Sequence, residues 1–540
     1  MERIEDFENT LRLESTTTAA MLSLVLLLGG CRLYRSLDQY GAPPDATSST
    51  DIRAVDATAD TAAVDTTPDS ETSPPDADAV SADAPDGSDS DTAPDGIPPC
   101  EDGATYCSGS CSNNVTSGQS GTGASRCRRV GIFGGDDIDA ATDLAVGPNG
   151  SLYIVGYTRS NLGAAPKPKE SNAFVARVDL SGNEVVTVKT LGSDNEDRAE
   201  SVAIGANGRV YVGGVFDVDT SQTDGFVAQY EPDLGKQNWR KSVGLELKTG
   251  QSPAVRAIAF NETLDTLFVA GEYRSMMGDD QIFVARYAPD GSSIQPAHLF
   301  GSGGAEQAGD AVADGDGIFL VGTTDGGMPG SNFQGKNSVG KSDVFYTKIA
   351  QGSRTQEVFR KGIWQFGSHE IDEGLSIATD SNGGVVIGGY SEGENWSWNQ
   401  TIASRTQHGN GDVFVARYAN GNPDWLKQMG RSGSERVNGL AYDDRGSAGS
   451  SLFATGPCCN GSGMSQPRES FLLGFTPKPP PTNTDYQSAL RLVGTGKSVR
   501  STAIAATENS LLVAGSTRDD FGLSKRFGDT DVFWVELGRN

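Results

Sequence analysis

Three features of the 540-residue sequence predict an all-β chain, built as a seven-bladed β-propeller of four-stranded blades. A short hydrophobic strand ending on glycine recurs seven times from about residue 134 onward. Its final glycines stand 58, 57, 51, 67, 67 and 59 residues apart, a period that belongs to propellers rather than to solenoids. The last unit also stops one strand short, and an orphan copy of the missing strand precedes the first unit, so an N-terminal strand is expected to close the ring.

Ahead of the repeat lie three different segments. Ala19 to Leu28 is an apolar run of ten residues. That is too short to span a bilayer and fits the hydrophobic region of an export signal. From Asp38 to Pro99 the chain is almost entirely Asp, Ala, Thr, Ser and Pro, with 14 Asp and one Glu against the single Arg53. Such a stretch cannot bury enough apolar surface to offset its ordering entropy, so a disordered, self-repelling tether is expected. Cys100, Cys107, Cys111 and Cys127 follow. They contain no C-x-x-C pair and no neighbouring His, which argues against zinc. In an exported chain they predict two disulfides, with three connectivities open.

The repeat resolves into four strands per unit. The first is small and alternating, as in Asp143-Leu-Ala-Val146 and Ser201-Val-Ala-Ile204. A tight turn such as Gly147-Pro-Asn-Gly150 leads to the second, glycine-ended strand, for example Tyr153-Ile-Val-Gly156. The third carries a phenylalanine in every copy: Phe174, Phe226, Phe283, Phe345, Phe414, Phe471 and Phe533. The fourth ends the unit, as in Val188-Lys-Thr-Leu-Gly192. Every strand alternates with period two, and no helical period is sustained. Arg128 to Gly134 aligns with a fourth strand, placing Phe133 on Leu191. It therefore supplies the strand that the seventh unit lacks, and closure leaves few raw strand edges.

Two resemblances add to this reading. Leu28-Gly29-Gly30-Cys31 resembles a bacterial lipobox, which implies cleavage before Cys31 and a lipid on its thiol. The run Gly134-Gly135-Asp136-Asp137, Asn149-Gly150 and Asn172-Ala-Phe-Val-Ala-Arg177 resembles the SBBP type of propeller repeat, a family that carries no single activity. Together they imply residues 1–30 as signal peptide, 31–99 as lipid-anchored acidic linker, 100–127 as a disulfide-rich segment and 128–540 as propeller. They place the protein at the outer membrane or cell surface of a Gram-negative bacterium.

Charge and composition narrow the function. With 43 Lys and Arg against 71 Asp and Glu, net charge −28, the chain lacks the cations that neutralise phosphates, so nucleic acid is excluded as a partner. Three His and seven Cys leave little for metal or nucleophile chemistry, and no hydrolase, zinc-protease or P-loop motif is present. No cofactor is expected. Acidic loops at Asp136, Asp137, Asp194 and Asp197 are where Ca²⁺ would find oxygen ligands. The polar residues two positions before each third-strand Phe (Asn172, Asp224, Gln281, Asp343, Asp412, Glu469, Asp531) read as loop fasteners.

The loops between second and third strands are longest in blades four and five, 23 and 25 residues from Gly to Phe against 12 in blades two and three. Blade five's loop holds Trp396, Trp398 and His408, which are the expected ligand contacts, with both tryptophans outside the core. Early inter-blade loops are acidic, whereas later ones carry Arg431, Arg436, Lys497 and Arg500. Cys458-Cys459 opens a loop of blade six. The function expected is a monomeric, non-enzymatic binding or scaffold protein for a protein or glycan. The alternative is an extracellular polysaccharide lyase or glycosidase, which needs carboxylates converging on the axis.

Overall fold

In the computed structural model the described residues are 106–109 and 126–538, without 163–166, 183, 194, 220–221, 245–251, 275–277, 295–296, 330–339, 352–357, 381, 395, 397–402, 405–409, 431–432, 444–450, 459–468, 476–487, 494–497 and 519–526. They fold into seven sheets, one per repeat, whose main strands run antiparallel. Blade one is typical: Asp139–Val146, Ser151–Thr158, Asn172–Asp179 and Glu184–Leu191 lie side by side in chain order. First strands of successive blades touch one another around the ring, and that of blade seven (Val499–Ala506) returns to that of blade one. The first strands therefore surround the axis.

Seven apolar clusters fill the seven gaps between neighbouring sheets. Period-two alternation makes this possible. On the third strand of blade seven, Phe533, Val535 and Leu537 face blade six, while Val532 and Trp534 face blade one. The second and third strands bury both faces, as in Ser151–Thr158 and Asp531–Gly538, which are buried at every position, whereas an outer strand such as Glu184–Leu191 stays partly exposed.

The repeated glycine and phenylalanine form one device. In every blade the second-strand glycine sits directly opposite the third-strand Phe, as Gly156 opposite Phe174 and Gly515 opposite Phe533. A Cβ on Gly156, Gly214, Gly271, Gly322, Gly389, Gly456 or Gly515 would overlap a first-strand carbonyl oxygen. The glycine lets the inner strand come close, and the phenyl ring covers the site.

The ring closes as expected. Arg126–Phe133 pairs antiparallel with Asp531–Gly538, so Val130 faces Val535 and Ile132 faces Phe533. Register is fixed by Gly131 opposite Trp534, whose indole occupies the space a Cβ would need. The closing strand starts at Arg126 and so contains Cys127. Two edge strands had no signal in the sequence. Tyr106–Gly109 adds a fifth strand to blade seven, pairing with Arg126–Phe133. Ala403–Ser404, inside the long loop of blade five, runs parallel to the fourth strand, Asn422–Met429. Among the described residues no helix is long and apolar enough to cross a membrane.

Candidate functional site

Carboxylates appear in two settings near the axis, and only one of them varies from blade to blade. The first setting lies at the start of the first strands. Asp139, Asp197, Glu306 and Asp372 are fully buried there. Each fastens the turn that precedes it. Asp139 accepts from Gly135 N at 2.7 Å and Ser160 Oγ at 3.0 Å. Glu306 accepts from Ser302 N and Thr324 Oγ1, both at 2.9 Å. Asp372 accepts from Ser368 Oγ at 2.8 Å and also from Ser368 N. Burial pushes Asp139 up to about 6 and Asp372 up to about 7, against the hydrogen bonds that favour the anion. The polar residues before the third-strand Phe join these knots. Asp531 accepts from Phe527 N and Gly528 N at 3.1 and 3.0 Å, and Asp343 from Gln365 Nε2 at 2.8 Å.

A second tier stitches blades together. The first strands carry a bulge where the ladder slips by one residue, between Ala141 and Asp143 in blade one and between Ala308 and Asp310 in blade four. Asp143 then accepts from Ser201 Oγ and Val202 N of blade two at 3.0 and 2.9 Å. Asp310 accepts from Ser376 Oγ and Ile377 N of blade five at 3.0 and 3.1 Å. Burial, followed by repulsion from Asp310, raises Asp143 to about 7 against its hydrogen bonds.

The second setting is the channel mouth on the face of the inter-blade loops. The positions three residues before the stitching position are Ala140, Arg198, Ala254, Gln307, Glu373, Arg436 and Arg500, and the bulge adds Glu200 and Arg256. No structural rule of the repeat asks for these residues, since each blade differs. Several of them pair across neighbouring blades, in two groups. Arg256 binds Glu200 of blade two at 2.9 Å and Glu272 of its own blade at 2.6 Å. Arg198 reaches Glu200 at 3.3 Å and lies 5.0 Å over the Tyr157 ring. Arg436 pairs with Glu373 and lies 4.5 Å over the Tyr390 ring. Glu272 is pushed up by burial and held back by Arg256. Side-chain exposure of 27% at Arg198 and 23% at Arg256 keeps these cations in reach of solvent.

The residues expected to contact ligand fare differently. Trp396 is a core residue, 4% exposed, and this corrects the expectation that it stands outside. Its Nε1 donates to Gln428 Oε1 at 2.9 Å, and its ring packs 5.0 Å from Phe414. Satisfying the indole N–H inside blade five removes the reason for a tryptophan to face water. Trp398 and His408 lie outside the described residues, as do Cys31, Cys100, Cys111, Asp194 and Cys459. Of the Ca²⁺ candidates, Asp197 is occupied, accepting from Ser193 N of its turn and from Asp217 N of the second strand at 3.2 Å. Asp136 and Asp137 pair with Lys167 at 3.5 and 2.9 Å. Among the described residues no three His, Cys, Asp or Glu side chains gather as a metal site.

The backbone also narrows the disulfide pairing. Cys107 faces Ile132 across the ladder, five positions from Cys127. At ~3.4 Å per residue that is roughly 17 Å, beyond the ~7 Å limit between bridged Cα atoms. The backbone register therefore does not bring Cys107 and Cys127 within bridging distance, while Cys100 and Cys111 lie outside the described residues.

Arg436 and Arg500 stand out in the sequence as basic loop residues, but the partner of Arg436, Glu373, does not. Glu200 and Arg256 fall on the bulge, where alternation is interrupted. Glu272 and Tyr157 look like ordinary strand ends.

No protein-family model matches the chain, and no curated protein matches it in sequence. Solved structures similar to it include the following. The Neurospora crassa Pan2 WD40 domain is 10% identical with a TM-score of 0.39, covering 73% of this chain and 88% of that one. The β-propeller domain of the Trilobed protease from Pyrococcus furiosus is 10% identical with a TM-score of 0.38, covering 73% and 92%. The Hadza microbial sialidase Hz136 is 9% identical with a TM-score of 0.38, covering 68% and 74%.

Proposed function

We propose that this propeller is a binding or scaffold protein of the SBBP repeat type, held at the cell surface by a lipid on Cys31, and that a protein or glycan docks at the channel mouth. One observation carries the docking site. Charged and aromatic side chains pair between neighbouring blades, one group on blades one to three and another on blades five and six, at positions where the repeat itself requires nothing. The lipobox-like Leu28-Gly-Gly-Cys31 and the acidic tether after it carry the anchor.

Glycan-array and pull-down screening with the full chain tests the site. A partner lost when Arg436 and Glu373 are both changed to Gln supports it, and a partner set bound equally by parent and variant removes it. Membrane fractionation tests the anchor: Cys31→Ala should move the protein to the soluble fraction, and unchanged partition refutes lipidation there.

A second reading has one observation in its favour. Glu200 and Glu272 both bond the planar guanidinium of Arg256, so they lie within roughly 8 Å of each other. Paired carboxylates at such spacing suit glycoside chemistry. In that case Glu272→Gln should abolish a polysaccharide-cleaving activity that the parent possesses. Absence of any cleavage by the parent across a polysaccharide panel sets this reading aside.

A further inference from the structure

We infer that the two seams flanking blade five are proton-held joints. One shared proton bridges Asp343 and Asp372 between blades four and five, another bridges Asp412 and Glu435 between blades five and six, and each joint loosens when its proton is lost. The joints belong to the ring itself and do not depend on what docks at the mouth.

The repeat supplies the comparison. At the inter-blade turns, the polar residue before the third-strand Phe of one blade meets the residue that opens the first strand of the next. The glycine ending the fourth strand lies between them. From blade three to four the pair is an amide and an acid. Gln281 Nε2 donates to Glu306 Oε2 at 3.1 Å, and a Cβ on Gly301 would overlap both side chains. Asn172 and Asp197 flank Gly192 in the same way. Around blade five a second acid replaces the amide. A Cβ on Gly367 would overlap Asp343 Oδ1 and Asp372 Oδ2, and one on Gly430 would overlap Asp412 Oδ1 and Glu435 Oε2. Two anions repel where the other seams hold an N–H between two oxygens, whereas a carboxyl O–H makes the same bond as the amide.

Burial removes the water that would separate two charges. Asp343, Asp372 and Asp412 are fully buried, and Glu435 is 4% exposed. The oxygens turned away from the glycine on the third-strand acids accept from glutamines of the fourth strands: Gln365 Nε2 to Asp343 Oδ2 at 2.8 Å and Gln428 Nε2 to Asp412 Oδ2 at 3.3 Å. Burial, with a smaller push from the charge of Asp343, raises Asp372 to about 7 against hydrogen bonds from Ser391 and Ser368. Other charged groups at these seams are turned elsewhere. His369 is exposed, Glu370 pairs with Lys341 at 2.6 Å, Glu392 accepts from the Tyr390 hydroxyl at 3.0 Å, and Arg436 pairs with Glu373. The closing seam also sets two acids together, Asp531 and Asp139, but there Lys167 pairs with Asp137 of the same turn and supplies a cation.

Position gives the joints a consequence. Asp372 and Glu435 immediately precede Glu373 and Arg436, which pair from blade five to blade six at the mouth. Arg198 and Gln307 follow the amide-type pairs instead. A carboxyl raised in the folded state contributes fully in acid and loses that contribution as pH rises through its folded value, here about 7. Rising pH therefore loosens the Glu373–Arg436 side of the mouth and spares the other.

Hydrogen exchange on the full chain, corrected for the intrinsic pH dependence of amide exchange, tests this between about pH 5 and about pH 8.5. Protection across residues 368–374 should fall at least about tenfold further than across residues 302–308, the amide-type seam of the same molecule. Asp343→Asn supplies a permanent N–H donor and should remove that difference. Gln281→Glu builds a second acid into the reference seam and should create the pH dependence there, a gain that a folding defect does not mimic. His369→Gln should change neither seam. Equal pH dependence at the two seams of the parent, its persistence in Asp343→Asn, or its loss in His369→Gln overturns the shared proton. Should Asp343→Asn fail to fold, Gln281→Glu decides alone, and no new pH dependence at its seam overturns the joint.

Discussion

The acids that open the first strands and the acids at the channel mouth stand only a few residues apart, yet they behave differently. Asp139, Asp197, Glu306 and Asp372 recur at equivalent places, are fully buried, and accept hydrogen bonds from their own turns. Glu200, Glu272 and Glu373 differ from blade to blade, keep partial exposure, and face arginines. In a repeat protein, regularity marks what every blade needs in order to fold. Irregularity at an aligned position marks what the ring needs only once. That contrast separates what every blade needs from what the fold leaves free to vary.

The contrast predicts where substitutions hurt. The largest effect is expected at Trp396, which belongs to the structural side despite lying in a long loop. Trp396→Ala should cost about 3–5 kcal/mol, the usual range for emptying a large aromatic site. Urea unfolding measures it, and a loss below about 1 kcal/mol would return Trp396 to the surface. Next comes Asp372→Ala, which leaves the N–H and hydroxyl of Ser368 without their acceptor. A loss of about 2–3 kcal/mol is expected there. A mouth acid should cost far less: Glu373→Ala, partly exposed, should stay within about 1 kcal/mol. Equal losses at Asp372 and Glu373 would erase the distinction between the two settings.

Solution pH sharpens it further. Asp143 and Asp372 are raised to about 7 and Asp139 to about 6, against an ordinary value of 3.8. Between about pH 4 and 7 the folded chain therefore holds more protons on these groups than the unfolded chain does. Stability from these carboxyls is fully present below their unfolded pKa and falls as pH rises toward 7. Thermal unfolding should thus occur at higher temperature at pH 5 than at pH 8, and Asp143→Asn should flatten the profile by on the order of 1–2 kcal/mol. A profile identical in parent and variant would show that Asp143 ionises freely.

Much of this architecture was legible in the sequence because close packing repeats. Gly156 and its six counterparts are visible as a motif, since any Cβ there meets a backbone oxygen. Counting strands was enough to find the closing segment, because Val130 and Ile132 continue the alternation of a fourth strand. Tyr106–Gly109 was hidden, as Tyr-Cys-Ser-Gly carries no apolar alternation, only a free edge to pair with. Trp396 misled for a related reason. A tryptophan among polar residues reads as exposed until Gln428, 32 positions away, is seen to accept its N–H. The mouth was least legible, because each of its residues is unremarkable within its own strand and acquires meaning only beside a neighbouring blade.

The central claim is that the mouth charges serve binding rather than folding. Thermal unfolding of the triple variant Arg198→Gln, Arg436→Gln, Arg500→Gln tests it most directly. Each unit of 1 kcal/mol shifts the melting temperature of a large domain by about 2–4 °C or less. A melting temperature within a few degrees of the parent is expected. A drop of 10 °C or more, on the order of several kcal/mol, would make these arginines part of the scaffold and contradict it.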